Sequence, residues 1–204
     1  MPHYRSIVVV DVEGSTTRTN PAKARFRDVL YDLLDRALDR TGITPEHRDP
    51  PIDRGDGAIL LIHPADHVPK TKLLTTLLPE LAGLLTDHNH RTTDGVRLRA
   101  AVHAGEVHHD EKGAFGEAVD LACRLLDAPE LKAALHHATT PLVTVVSDDI
   151  HHSIVRHRYE GIDALTFKPL IHLHLAGKPH RGWIHAHHVP TTDAVRFLTF
   201  PTAG

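Results

Sequence analysis

Two aspartates stand where carboxylates are costly. Asp11 closes the β-branched run Ser6-Ile7-Val8-Val9-Val10-Asp11-Val12, which reads as a buried strand. Asp56 sits between glycines in Gly55-Asp56-Gly57, read as the tip of a hairpin spanning Asp49 to Ile62. An ionised carboxylate at the mouth of a core strand needs a partner. If the two acids converge at adjacent strand ends, they form a hard, oxygen-rich site of the kind that holds Mg²⁺ or Mn²⁺ on nucleotide phosphates. The alternative leaves Asp11 capping the following turn and Asp56 as an ordinary turn residue.

Three further groups carry chemistry. Gly113-x-x-Gly116 leads into a helix, and glycines let backbone approach an anion at a helix N-terminus. Arg124 lies about two turns further on, on a short helix, where it could reach a phosphate or a partner subunit. Lys178 follows Gly177 after an alternating strand and reads as a loop lysine. The clusters His108-His109-Asp110 and His185-Ala186-His187-His188 contain metal-ligating types, but adjacent strand residues point to opposite faces, which makes them poor single-site ligands. There is no Walker A motif, G-x-G-x-x-G, H-E-x-x-H or nucleophile elbow.

The elements that must position these residues follow from periodicity. Asn20-Pro21 opens a helix, with Asn20 as N-cap, and Gly42 stops it. A second helix covers about Lys70 to His90 and should kink or split at Pro79. Val96 to Gly105 alternates as a strand, with Glu106 to His109 returning as its hairpin partner. Glu117 to Leu126 reads as a helix, and Leu142–Val146, Ile171–Leu175 and Trp183–His185 as strands. The order predicts an α+β fold with helices on a mixed sheet. We read 1–204 as one domain, with its core at about 5–186 and a loose tail over 190–204.

Composition narrows the class. The chain has 204 residues, 26 acidic and 23 basic, for a formal net charge of −3. That balance argues against a nucleic-acid partner. The single cysteine, Cys123, excludes an internal disulfide or a C-x-x-C site. No apolar run is long enough for a membrane span or a signal peptide, so the expectation is a cytoplasmic protein. Charge is nevertheless pH-sensitive. The 20 histidines, at an ordinary pKa near 6.5, would add roughly 15 positive charges at pH 6. We read most of them as solvated surface.

Taken together, the motifs resemble the class III nucleotidyl cyclase catalytic domain. Val10-Asp11-Val12-Glu13-Gly14-Ser15-Thr16 is similar to its first metal motif and Gly55-Asp56-Gly57 to its second. Val102-His103-Ala104-Gly105-Glu106-Val107 resembles its central strand. Phe115 to Leu125 resembles the segment that carries its transition-state residues. The likeness spans roughly residues 5 to 126 in matching order. It implies a ferredoxin-like sheet and a head-to-tail homodimer that closes a nucleoside triphosphate to a 3′,5′-cyclic monophosphate. Asp11, Asp56 and Val12 would hold two ions, Mg²⁺ or Mn²⁺, on the triphosphate in a two-metal mechanism. Arg124 would come from the partner subunit to the α-phosphate. Lys178 is the candidate for the triphosphate lysine. Departures are also visible. The base-reading positions fall at Ile52 and Gly113, neither with a side-chain hydrogen bond to offer, and the ribose-orienting asparagine is Asp120. Two readings result: an active cyclase with relaxed base choice, or a degenerate cyclase-like domain that binds a nucleotide or a partner protein.

Overall fold

In the computed structural model, residues 1–187 are described. The expected loose tail, 190–204, lies outside them, as does His188. An eight-stranded mixed sheet has the order β2-β3-β1-β4-β6-β8-β7, with β5 paired to β4. Its strands are β1 (His3–Val12), β2 (Ile52–Asp53), β3 (Gly57–Ile62), β4 (Leu98–Asp110), β5 (Gly113–Phe115), β6 (Leu142–Ser147), β7 (Lys168–Leu175) and β8 (Lys178–Ala186). The pairings β1–β3, β1–β4, β6–β8 and β7–β8 are antiparallel, while β4 and β6 run parallel. The expected α+β class is what forms.

Alternation along β1 sorts its side chains onto two cores. Val8, Val10 and Val12 face α1 (Asn20–Thr41) and α3 (Leu78–Arg91). Ile7 and Val9 face α4 (Glu117–Asp127) and α5 (Pro129–His137). With both faces covered, β1 and β3 carry near-continuous apolar sequence. Asp11 shares the parity of Ile7 and Val9. Its side chain therefore belongs to the α4–α5 face, just where the apolar run stops.

Several boundaries differ from the sequence reading. Thr19, not Asn20, occupies the N-cap of α1, and its side chain makes no capping bond. Asn20 and Pro21 fill the first turn, where N–H groups have no intrahelical partner in any case. Gly42 ends the helix at φ 67°, as expected. Glu106 to His109 do not turn back. They continue β4 to Asp110, and β5 makes the return. The turn forms where Asp110 Oδ1 accepts the backbone N–H groups of Lys112 and Gly113 at 2.8 and 3.1 Å. Gly105, which suggested the turn, instead admits α4: a Cβ there would overlap Ala118. Pro79 does split its helix. It has no N–H to give the preceding turn, so α2 (Lys70–Lys72) widens into a π-helical turn over Leu73–Leu77 and α3 restarts with Pro79 in its first turn.

Gly57 sets the approach of β3 to β1. It lies opposite Asp11 in register, and a Cβ at this position would overlap the Val10 carbonyl. No flexible side chain is available to yield there. Gly57→Ala is therefore expected to cost about 3 kcal/mol, near the top of the overpacking range. Urea denaturation of the variant against the parent measures it, and a loss below about 1 kcal/mol contradicts the close-approach argument.

Candidate functional site

The ends of β1 and the β2–β3 hairpin are locked to one another by a hydrogen bond from Val12 N–H to the Asp56 carbonyl at 3.0 Å. The hairpin tip is Arg54-Gly55-Asp56, since Gly57 already belongs to β3. This closure brings Asp11 and Asp56 to the wall of one cavity of about 390 Å³. Val12, Ser15, Arg54 and Arg99 share that wall. A second lobe of about 320 Å³ adjoins it through Val12, Ser15, Thr16, Arg54 and Asp56. The expected convergence of the two carboxylates is present.

Each carboxylate has a protein partner. Ser15 Oγ donates to Asp56 Oδ2, so the turn after β1 holds the acid of the hairpin. Arg99, directly opposite Asp11 on β4, donates from Nη2 to Asp11 Oδ2. Both members of this ion pair are largely withdrawn from water, with side-chain exposures of 9% for Arg99 and 13% for Asp11. Burial lifts the Asp11 pKa to about 6, with Asp56 and Asp127 adding to the rise and Arg99 and Arg54 opposing it. Asp11 Oδ1 is buried without a protein hydrogen-bond partner, as are Nε and Nη1 of Arg99.

These residues fit a hard divalent cation. A buried carboxylate oxygen lacks a partner, a second carboxylate lines the same cavity, and both are oxygen donors. Among the described residues, no three His, Cys, Asp or Glu side chains gather at metal-binding distance. The fit rests on the two carboxylates alone: Mg²⁺ and Mn²⁺ on nucleotides take one or two and complete their shells with water and phosphate oxygens.

Other expected site residues lie elsewhere. Asp120 and Arg124 are exposed on α4, four residues apart, and neither lines the cavity. Gly116 takes the N-cap of α4 at φ 136°, and Gly113 opens β5. Ile52 is half-buried against the α4–α5 core and does not reach the cavity. Lys178 begins β8 instead of lying in a loop, and it borders a separate cavity of about 650 Å³ with His172, His174 and Arg181. A single chain thus carries two groups of expected site residues that it does not itself bring together.

The histidine clusters are also accounted for. His108 stacks on Phe115, while His109 faces Asp49 at 3.4 Å. His103 is buried against the Ser147 hydroxyl at 2.8 Å, and burial pushes its pKa down. His185 and His187 lie ring to ring at 4.5 Å. The expectation of solvated histidines fits His108 and His109, which are exposed, and needs correcting at His103 and His187, which are buried.

Arg99, Arg54, Asp127 and Lys132 line the cavity without having been read from sequence. The signal for Arg99 was available. A charged residue within Leu98-Arg99-Ala100-Ala101-Val102 must find a counter-charge on a neighbouring strand, and Asp11 is the acid on β1 at that level. Arg54 carried no such signal; its Nη1 contacts Cys123 Sγ at 2.5 Å from an exposed hairpin.

The fold is that of adenylate and guanylate cyclase catalytic domains. An adenylate/guanylate cyclase/hydrolase from Silicibacter pomeroyi is similar with a TM-score of 0.61 and 18% identity, over 90% of this chain and 96% of that one. The guanylyl cyclase Cya2 gives 0.61 at 16% identity, over 94% and 96%. The adenylyl cyclase CyaB from P. aeruginosa gives 0.52 at 13%, over 95% and 97%. No family model matches the chain, and no curated protein matches it either. Among the described residues, no helix is long and apolar enough to cross a membrane.

The buried pair has a measurable cost structure. Arg99→Met leaves Asp11 without its counter-charge, a loss of about 3–5 kcal/mol for a buried pair. In the metal-free protein this loss should be large at pH 8 and smaller at pH 5. The folded-state carboxyl, already at about 6, rises further in the variant and keeps its proton at pH 5, whereas the unfolded carboxyl ionises near 3.9. Chemical denaturation at the two pH values measures the difference, and an equal loss at both contradicts it.

Proposed function

We propose that the chain is a nucleotidyl cyclase that works as a head-to-tail homodimer on a nucleoside triphosphate. The convergence of Asp11 and Asp56 on one cavity, in a fold shared with adenylate and guanylate cyclases, is the observation that carries this reading. In the reaction, the ribose 3′-oxygen bonds to the α-phosphorus, the bond from that phosphorus to the β-bridging oxygen breaks, and pyrophosphate leaves with the electron pair. The hydroxyl proton goes to solvent or to a phosphate oxygen.

Asp11 and Asp56, with Val12 beside them, would hold Mg²⁺ or Mn²⁺. Such ions supply polarisation of the phosphate oxygens and acidify the attacking hydroxyl. Arg99 and Arg54 place positive charge along the same wall, where the triphosphate tail would lie. Arg124 projects from α4 into solvent and is free to reach the α-phosphate bound by a second copy. Lys178 would serve the tail from that same second copy. Ile52 and Gly113 offer the base no side-chain donor or acceptor, so base choice rests on backbone groups or on other side chains.

Asp120 favours a second reading, in which the domain binds a nucleotide or a partner protein without turnover. It stands one helical turn before Arg124 on the exposed face of α4, where its charge opposes that of a triphosphate. Nucleotide-dependent melting shifts without product would support that reading.

Purified protein with Mn²⁺ and each of the four nucleoside triphosphates is expected to give a cyclic monophosphate by mass spectrometry. Asp11→Ala should abolish the product while leaving the circular dichroism spectrum intact. No cyclic product from any triphosphate would end the enzymatic reading.

The dimer makes a separate forecast. Asp11→Ala and Arg124→Ala chains, each inactive alone, should recover about one working site per dimer when mixed. Failure of the mixture to recover activity would mean that each chain builds its own site.

A further inference from the structure

We propose that Arg99 is a latch on the acidic site: it holds Asp11 while no nucleotide is bound and releases it to a divalent cation when a polyphosphate draws the guanidinium away. This inference rests on the reading of the cavity as a metal–triphosphate site, and it concerns the order in which that site fills.

The argument begins with strand register. Asp11 and Arg99 are directly paired residues on adjacent strands, so the backbone fixes their proximity. Arg99 occupies Oδ2 of Asp11, and the other oxygen, Oδ1, is buried without a protein partner. A cation placed on Oδ1 would share one carboxylate with a guanidinium. Two like charges so close, in a site withdrawn from water, repel strongly. Arg54 and Lys132 line the same cavity, where Glu13 and Asp127 oppose their charge, while Asp56 is already engaged by Ser15. Asp11 is therefore a poor receptor for a metal ion alone as long as Arg99 holds its other oxygen.

The latch is also incomplete. A guanidinium has five N–H donors, yet Nε and Nη1 of Arg99 are buried with no protein acceptor. Phosphate oxygens satisfy such donors in pairs, with charge assistance. A triphosphate tail in the cavity would complete Arg99 and withdraw it from Asp11. It would also supply the negative charge that a cation on Oδ1 requires. Metal and polyphosphate then bind with positive coupling, and linkage makes that coupling reciprocal.

The test uses Mn²⁺ and inorganic triphosphate as probes, so no turnover enters. Mn²⁺ alone is titrated into parent protein and Arg99→Met by electron paramagnetic resonance. The expected result is roughly tenfold tighter Mn²⁺ binding to the folded variant than to the parent. Equal or weaker binding overturns the latch, because it would make Arg99 a support that orients Asp11.

If Arg99→Met does not fold, the reciprocal arm decides. In EDTA, Asp11→Asn releases Arg99 and should tighten inorganic triphosphate binding roughly tenfold by calorimetry. Asp56→Asn removes an equal charge from the same wall without touching Arg99, and its gain should be several-fold smaller. Equal gains in the two variants overturn the latch. A parent that binds no Mn²⁺ even with triphosphate present refutes the metal site of the proposed function, while the EDTA comparison still decides the latch.

Discussion

A carboxylate withdrawn from water is the constraint around which this structure is arranged. Asp11 follows Ile7 to Val10, which are among the most buried residues in the protein, and its charge is tolerated because Arg99 lies beside it in register. The pairing in turn depends on β1 being flanked on both sides. Gly57 lets β3 come close on one edge, and β4 supplies the guanidinium on the other. The turn after β1 then contributes Ser15 to fix Asp56. Each contact is short-range, yet together they draw residues from three distant parts of the chain to one wall. Burial of this kind is poor evidence for stability, since a well-packed apolar pair would serve the fold as well or better. Its place on the wall of a cavity points to chemistry.

Much of this was legible in the residues themselves. The β-branched run ending in Asp11, the glycine-flanked Asp56 and the order of elements led to the sheet and to the meeting of the two acids. Where the reading slipped, a local signal was outvoted by a tertiary one. Gly105 looks like a turn glycine, but it is small because α4 packs against it, and the real turn is made by the Asp110 side chain. Arg99 reads as one charge in an alternating strand, and only strand register identifies its partner. Lys178 looks like a loop residue because Gly177 precedes it. The β7–β8 hairpin is simply tighter than that, and β8 begins at once. The place of Ile52 in the first strand of its hairpin follows from sequence, whereas Gly113 reads as a turn residue and instead opens β5. What they fail to provide for a base does not appear in a single chain.

The distribution of site residues is equally informative. Asp11, Asp56 and Arg99 face one cavity, whereas Asp120, Arg124 and Lys178 lie on surfaces the same chain leaves open. A helix that exposes Arg124 while burying Leu121, Ala122 and Leu125 is anchored firmly by its other side. The arginine's backbone is therefore presented on a rigid platform, and only its side chain is ordered when it meets an anion.

The crossover between β4 and β6 has one more implication. The acids and their partners are set by ladder hydrogen bonds, which admit registers only in whole-residue steps. The helix bearing Asp120 and Arg124 belongs to the connection between two parallel strands and is seated chiefly by side-chain packing, with the Arg54–Cys123 contact beside it. Packing can settle by fractions of an ångström as small and large residues are exchanged beneath it. The two ends of the molecule's polar equipment thus obey different tolerances: one is quantised by the sheet, while the other can be tuned continuously.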